Sequence, residues 1–409
     1  MAATLSIFIF VLTVLAILLC ARWIPEWAAA LGGAVAVIEL ELDSLSSAWH
    51  ALYAQADVLF FFAGLALATA VAEDAGIFEW LTWRAARWAD GSSRRLWFAV
   101  AGVACVTTIL LTNDAAVLVI APLAAVMART LRLPAAPFVL TIAFVANAAS
   151  AVLPISNPTN FIIAHAAGLN LASYLRAVEV PALAALLAAM CVLMLIFNRP
   201  SSERYQLEGA REPGRPETVI TIVLALMAGG MIFASALSLA VGTTALAFAA
   251  ILIVLCACSA RRSAITVLRR SHISIVALVA GLFVIVDGLR ATGALTLPVR
   301  WLSASAGPLT VTLTALLANV FNNLPVSIVV VQILHHPFIS PAAATKLAAG
   351  SILGLAIGPN LTTIGSLSTI LMLIVVRARG VEIAPKDFIL PGVAVCAASV
   401  LAATAALML

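Results

Sequence analysis

Apolar runs of about 20 residues, the length that crosses a bilayer, succeed one another along this chain, separated by short polar clusters. Ten runs read as full spans. Five lie in the first half, at 4–22, 27–43, 56–75, 136–168 and 174–198, and five in the second, at 217–238, 243–260, 272–292, 345–376 and 387–409. Two more apolar segments, 96–128 and 307–334, carry a polar tip at mid-length, and arms of about 15 residues are short for a crossing. They read as re-entrant hairpins, with tips at Thr112-Asn113-Asp114 and at Asn322-Asn323-Leu324-Pro325. Two of the spans are themselves broken, at Asn157-Pro158 and at Gly358-Pro359. Proline there removes a backbone donor and disfavours helix in the residue before it.

The interruptions fall at matching places in the two halves. Non-helical backbone at membrane depth is tolerated only where it is buried in protein or lines a cavity, and paired breaks point to a transporter's binding site. Basic clusters set the orientation, because short cytoplasmic loops collect Lys and Arg. Arg84, Arg87, Arg94 and Arg95 precede the first hairpin, and Arg129 and Arg132 follow it. Both of its ends therefore face the cytoplasm. The second hairpin has no such residues at its ends and enters from the opposite face. Five crossings per half is odd, so the second repeat lies inverted. The expected fold is an all-α polytopic membrane protein, with two inverted repeats of five spans plus one re-entrant hairpin each and unwound helices at the midplane. The repeats cover 1–198 and 217–409, joined by a polar cytoplasmic linker at 199–216, and both termini are periplasmic. The segment 78–88, with Trp80, Trp83 and Trp88 among Arg84 and Arg87, reads as an interfacial amphipathic helix or an aromatic belt.

Composition agrees with a membrane setting. The chain is 64% hydrophobic and 10% charged, against about 25% charged in soluble domains. A net charge of +4 without a basic patch excludes nucleic acid as a partner. The six cysteines show no metal-ligand or disulfide spacing, so no metal or other cofactor is expected. An apolar stretch begins near Leu5 without a preceding basic residue, which makes it a first span rather than a cleaved signal. No nucleophile–base pair and no nucleotide-binding motif is present, so the expected activity is transport rather than catalysis.

If hairpin tips and span breaks meet near the midplane, they offer Asn113, Asp114, Asn157, Thr159, Asn160, Asn322, Asn323, Asn360, Thr362 and Thr363 to a substrate. Nearly all are neutral donors and acceptors, suited to a small polyhydroxylated molecule. Asp114 is the one carboxylate at a tip. Ionisable groups inside membrane segments are functional by default, which makes Asp114 the candidate proton carrier. Capping the second hairpin arm is its other reading, compatible with the first. Glu73-Asp74 and Asp287 with Arg290 read as structural ion pairs or interfacial charges.

AEDAGIFEWLTWRAARWADG (72–91), TNDAAVLVIAPL, ISNPTNFI, FNNLPVSIVV and GPNLTTIGSLSTILML resemble the arsenite efflux permease family (ArsB type) of the ion transporter superfamily, in the same order along nearly the whole chain. The resemblance implies a secondary active transporter of the inner membrane that exports trivalent arsenite and antimonite in exchange for protons. It also admits assembly with a cytoplasmic arsenical ATPase, the only route by which ATP could enter. The second break reads GLAIGPN and lacks the acidic residue expected before Gly-Pro in close relatives, which leaves Asp114 to act alone. A sodium/proton antiporter and a sodium-coupled dicarboxylate carrier of the same superfamily are the alternatives. The second is disfavoured because Asp114 repels a dianion.

Overall fold

A computed structural model describes residues 1–19, 23–197, 204–206, 214, 218–258, 264–296, 299, 307–336 and 339–409. Among these, regular structure is helical throughout. The first half comprises α1 (Ala2–Leu19), α2 (Glu26–Glu39), α3 (Leu45–Ala54), α4 (Ala56–Asp74), α5 (Ile77–Trp88), α6 (Ser93–Leu110), α7 (Asn113–Thr130), α8 (Ala135–Ala149), α9 (Pro158–Ala166) and α10 (Leu171–Phe197). The second comprises α11 (Thr218–Ala236), α12 (Val241–Cys258), α13 (Ala264–Arg270), α14 (Ile275–Ala291), α15 (Pro308–Phe321), α16 (Asn323–Leu334), α17 (Pro341–Ile357), α18 (Leu367–Ala378) and α19 (Pro385–Leu407). Among the described residues, eight helices are long and apolar enough to cross a membrane. Their outer faces are apolar: Leu187 and Leu195 of α10 are 66% and 75% exposed, and Leu390 and Leu401 of α19 are 72% and 71% exposed. Such a surface is stable in lipid and not in water. Most of the linker 199–216 lies outside the described residues.

Both tip segments break the helix where polar residues interrupt the apolar runs. The chain leaves α6 at Leu111 and restarts at Asn113, with Thr112 Oγ1 accepting the Ala115 N–H at 3.1 Å. It leaves α15 at Asn322, which adopts φ +69° and accepts the Leu324 N–H on its own Oδ1 at 3.3 Å. Asn is among the few residues that tolerate this left-handed backbone. The arms of each pair pack against one another. Arms α6 and α7 reach 18 residues each, longer than the pattern suggested, because α6 begins in the polar Ser93-Arg94-Arg95 turn.

The first broken span unwinds over 150–157, seven residues ahead of the expected Asn157-Pro158 point as well as at it. Its freed polar groups are satisfied by side chains, as burial demands. Asn160 Nδ2 donates to the Ser150 carbonyl at 2.5 Å, and Tyr174 Oη donates to the Ala151 carbonyl at 2.8 Å. In the second, Gly358–Asn360 continues α17 as a 3-10 turn, and the chain is irregular at 361–366. Asn319 Nδ2 donates to the Gly358 carbonyl at 2.8 Å, and Thr362 Oγ1 donates to Asn319 Oδ1 at 2.7 Å.

Packing is reciprocal between the halves. Helix α2 lies on α14, α4 lies on α12, α10 lies on α19, and the breaks are crossed by α9 on α16 and α18 on α7. Close backbone approach requires glycine at the crossings. A Cβ at Gly242 of α12 would sit 1.7 Å from the Asp57 carbonyl oxygen of α4, and one at Gly281 of α14 would sit 2.7 Å from Ala30 of α2. Two residue groups depart from the expected layout. Helix α2 ends at Glu39, short of 43, and Ser44 caps the unanticipated α3 by accepting the Ser47 N–H at 3.0 Å.

Candidate substrate cavity

Four helices start at one place. The N-termini of α7, α9, α16 and α18 carry Thr112 and Asp114, Asn157 and Thr159, Asn322 and Asn323, and Ser366 and Ser368, and all of these residues line a single cavity of about 610 Å³. Each helix start carries about half a positive charge, and at α9 and α16 the first N–H groups are met by Asn157, Asn322 and the Gly365 carbonyl. Phe62, Leu65, Leu118, Leu282 and Leu371 supply the apolar wall. Around the rim stand Glu73, Asp74, Glu79, Arg270, His272 and Arg379. From the cavity, α7 and α18 run together to this rim, where Arg129 donates to the Arg379 carbonyl. Helices α9 and α16 pack together and end at His165 and His335, neither of which lines the cavity.

Asp114 is the single acid at the convergence of the helix starts. Ser368 Oγ donates to its carboxylate, and Ser366 Oγ donates in turn to Ser368 Oγ at 3.3 Å. The chain of hydroxyls joins the tip of the first hairpin to the restart of the second broken span. Asp74 and Arg270 face one another across the rim at 3.9 Å. Away from the cavity, Asp287 pairs with Arg290 at 2.7 Å and accepts Ser47 Oγ at 3.0 Å.

Of the residues singled out from sequence, the structure brings Asp114, Asn157, Thr159, Asn322 and Asn323 to the cavity. The other five lie elsewhere. Asn113 is buried behind Asp114, 2% exposed, and among the described residues its Oδ1 has no hydrogen-bond partner. Asn160 turns back to Ser150, and Thr362 turns to Asn319. Asn360 is fully buried, accepting Asn147 Nδ2 at 2.9 Å and donating to the Phe144 carbonyl at 3.3 Å. Thr363 does not reach the cavity. Ser366 and Ser368 were missed by sequence reasoning. Their signal was present in Gly365-Ser366-Leu367-Ser368, since Ser is a preferred residue at a helix start. Among the described residues, no cluster of His, Cys, Asp or Glu could hold a metal ion, and none of the free cysteines lines the cavity.

Apolar helices with lipid-compatible faces, enclosing a polar cavity built from broken spans and hairpin tips, define a multi-pass membrane transporter. Residues 14–358 match the citrate transporter family (CitMHS), and the chain belongs to that family. It is 27% identical over 404 residues to the arsenical pump membrane protein of Escherichia coli K12, covering 92% of this chain and 91% of the relative. It is 34% identical over 177 residues to the silicon efflux transporter LSI3 of rice, covering 42% of this chain and 34% of that one. The fold is like that of the Alcanivorax borkumensis YdaH transporter, with a TM-score of 0.55 at 15% identity over 99% of this chain and 97% of that one. The resemblance to arsenite efflux permeases is thus matched by relatives named as arsenical pump membrane proteins.

Proposed function

We propose that this chain exports trivalent arsenite and antimonite from the cytoplasm in exchange for protons, with Asp114 carrying the proton. The observation that carries the reading is the meeting of four helix starts, with their amides and hydroxyls and the one carboxylate at their convergence, in a single cavity. Arsenite at neutral pH is a neutral trihydroxide. Its three O–H groups can donate to Asp114 and to the Asn322 and Asn323 amide oxygens, while its oxygens accept from the N–H groups at the starts of α7 and α18. A proton on Asp114 removes an acceptor that the substrate uses, so the two occupants compete. That competition is the simplest basis for exchange. Full-length relatives named as arsenical pump membrane proteins support the substrate, and a partial relative named for silicon efflux, another hydroxylated oxide, agrees with the donor set.

A lining without thiols among the described residues suits an exporter, because a cysteine triad would hold arsenic too tightly to release it. We take the rim with Arg270 and Arg379 to lie on the cytoplasmic side of the inner membrane, a reading the positive-inside pattern supports. Both termini then face the periplasm, the residues near 199–216 are cytoplasmic, and 1–198 and 217–409 form inverted repeats. The reciprocal packing of α2 on α14 and α4 on α12 supports that last assignment. We take the proton gradient to suffice without an ATPase, which is an accessory where one is present.

The test is uptake of arsenite and antimonite into everted vesicles that are acid inside, with sodium and succinate as controls and ATP absent. Gradient-dependent arsenite uptake that vanishes in Asp114→Asn, with the variant folded and in the membrane, is the expected result. Succinate uptake without arsenite uptake would reverse the reading to a dicarboxylate carrier, and sodium-driven proton movement alone would make the chain an antiporter of those two ions.

A further inference from the structure

We propose that His272 receives the proton that Asp114 releases and passes it to the cytoplasmic mouth of the cavity. This rests on the proton-coupled reading above and names the exit route of that cycle.

His272 lies between α13 and α14, in the irregular stretch 271–274, and it lines the same cavity as Asp114. An electrostatic interaction links its ring to the Asp114 carboxylate, whose other recorded partner is the Ser368 hydroxyl. Six further charged groups line the cavity. Glu26 comes from α2, Glu73 and Asp74 from α4, Glu79 from α5, Arg270 from α13, and Arg379 from the end of α18. Of the two cations among them, Arg270 faces Asp74 at 3.9 Å, and the Arg379 main chain is held by Arg129. Arginine keeps its proton at every physiological pH, so neither can take one from an acid. Histidine is the residue type that serves as a proton shuttle between an acid and water. Atoms balance simply: the carboxyl of Asp114 loses H⁺ across the solvent-filled cavity, a neutral ring nitrogen of His272 gains it, and the imidazolium returns it to cytoplasmic water.

Helix α13 rests on α4 and α12, α7 with Asp114 rests on α5, α6, α8 and α18, and α5 packs in turn on α4, so one connected set of helices carries both partners to the same cavity.

The experiment compares wild type with His272→Gln in everted vesicles that are acid inside, where the cytoplasmic face meets the external buffer. Two rates are read: gradient-driven arsenite uptake from external pH 6 to 8.5, and arsenite exchange at equal pH on both sides, which requires no net proton release. Positioned acid–base groups contribute large factors, so gradient-driven uptake should fall by about tenfold or more while exchange stays within about twofold. Imidazole-4-acetate outside the vesicle, kept there by its charge, should restore at least about half of the lost rate in the variant and leave wild type unchanged. His272→Asn is the second variant, used if His272→Gln does not reach the membrane folded. Gradient-driven uptake within twofold of wild type over the whole pH range, or a loss that external imidazole does not restore, overturns the assignment. Absence of gradient-driven uptake in wild type is a different outcome, and it removes the proton-coupled reading itself.

Discussion

Asn147 and Asn360 form a buried polar joint between the two broken spans, and its removal has a calculable cost. Asn147 Nδ2 donates to Asn360 Oδ1 at 2.9 Å, Asn360 Nδ2 reaches the Phe144 carbonyl at 3.3 Å, and the residues are 2% and 0% exposed. Asn147→Ala strands Asn360 Oδ1, and a buried acceptor left unpaired costs about 1–3 kcal/mol. Asn360→Ala strands Asn147 Nδ2 at a similar cost. Side-chain hydrogen bonds between membrane helices couple by about 0.6 kcal/mol on average and about 1.7 kcal/mol at most. Both single variants lose the same bond, so the double variant should be less destabilised than their sum by about 0.6–1.7 kcal/mol.

Unfolding of the four purified proteins in one detergent measures the stability cycle, and arsenite uptake measures function in parallel. If the pair is a brace, both single variants lower the maximal rate through a loosened joint, and KM moves equally in the two or not at all. Sequence reasoning had placed Asn360 in the substrate site, and that role makes a different pattern. KM would rise in Asn360→Ala alone, with stability effects that simply add. Additive stabilities together with a selective KM rise would refute the brace.

Ser368→Ala removes the hydroxyl that donates to the Asp114 carboxylate. Hydrogen bonds to charged groups are worth about 1.5–3 kcal/mol, so the pH profile of gradient-driven uptake should change in Ser368→Ala; an unmoved profile means that the hydroxyl does not act on Asp114. Gly242→Val drives a side chain into the Asp57 carbonyl, 1.7 Å from the position of its Cβ, and backbone against backbone leaves no cheap relaxation. A loss of about 3 kcal/mol or more is expected, read as loss of monodisperse protein on size exclusion in detergent. Asp43 stands in the turn before α3, and burial, with the nearby Asp287 adding to it, pushes its carboxyl above the ordinary range. Its ionised form is therefore disfavoured in the fold: the stability it contributes is complete below the unfolded carboxylate range and is lost as pH rises through the raised folded value. Asp43→Asn should raise the melting temperature at neutral pH, by about 0.5–1 kcal/mol in stability after solvent screening, with the gain vanishing near pH 4; a gain independent of pH would mean that charge is not its cause.

How far the chain could be read from its residues depended on what each region costs in lipid. Broken helix at membrane depth is so unfavourable without partners that the residues permitting it stand out, and both hairpin tips fall within a residue or two of Thr112-Asn113-Asp114 and Asn322-Asn323. Helix α3 was invisible on that criterion. Its sequence, Leu45 to Ala54, is too short to span, mixes apolar residues with Ser46, Ser47 and His50, and is exposed on much of its surface, and its start depends on Ser44 acting as a cap. The linker between the halves, read as polar and coreless, lies largely outside the described residues.

The site was half legible for a related reason. Hydropathy marks a polar residue in an apolar run but carries no information on the direction in which it points. At the second break the proline drew attention to Gly358-Pro359, yet proline is tolerated at the start of a 3-10 turn, and helical geometry persists through Asn360. The helix restarts only at Leu367, after Asn323 N–H has paired with the Gly365 carbonyl at 3.2 Å, so the residues that reach the cavity are Ser366 and Ser368. The first break obeys the same rule. Asn157 and Thr159, in the cap and first turn of α9, face the cavity, while Asn160, one residue further round the helix, is turned to the Ser150 carbonyl. Polar groups at the very start of a half-helix reach the cavity even where they cap the N–H groups beside them, as Thr112, Asn157 and Asn322 do. Those a step further on, or on the end of the preceding half, are consumed in satisfying the backbone that the break exposes. Separating the two classes requires knowing where the helix restarts, and in a run as uniformly apolar as this one, only cap residues mark that point.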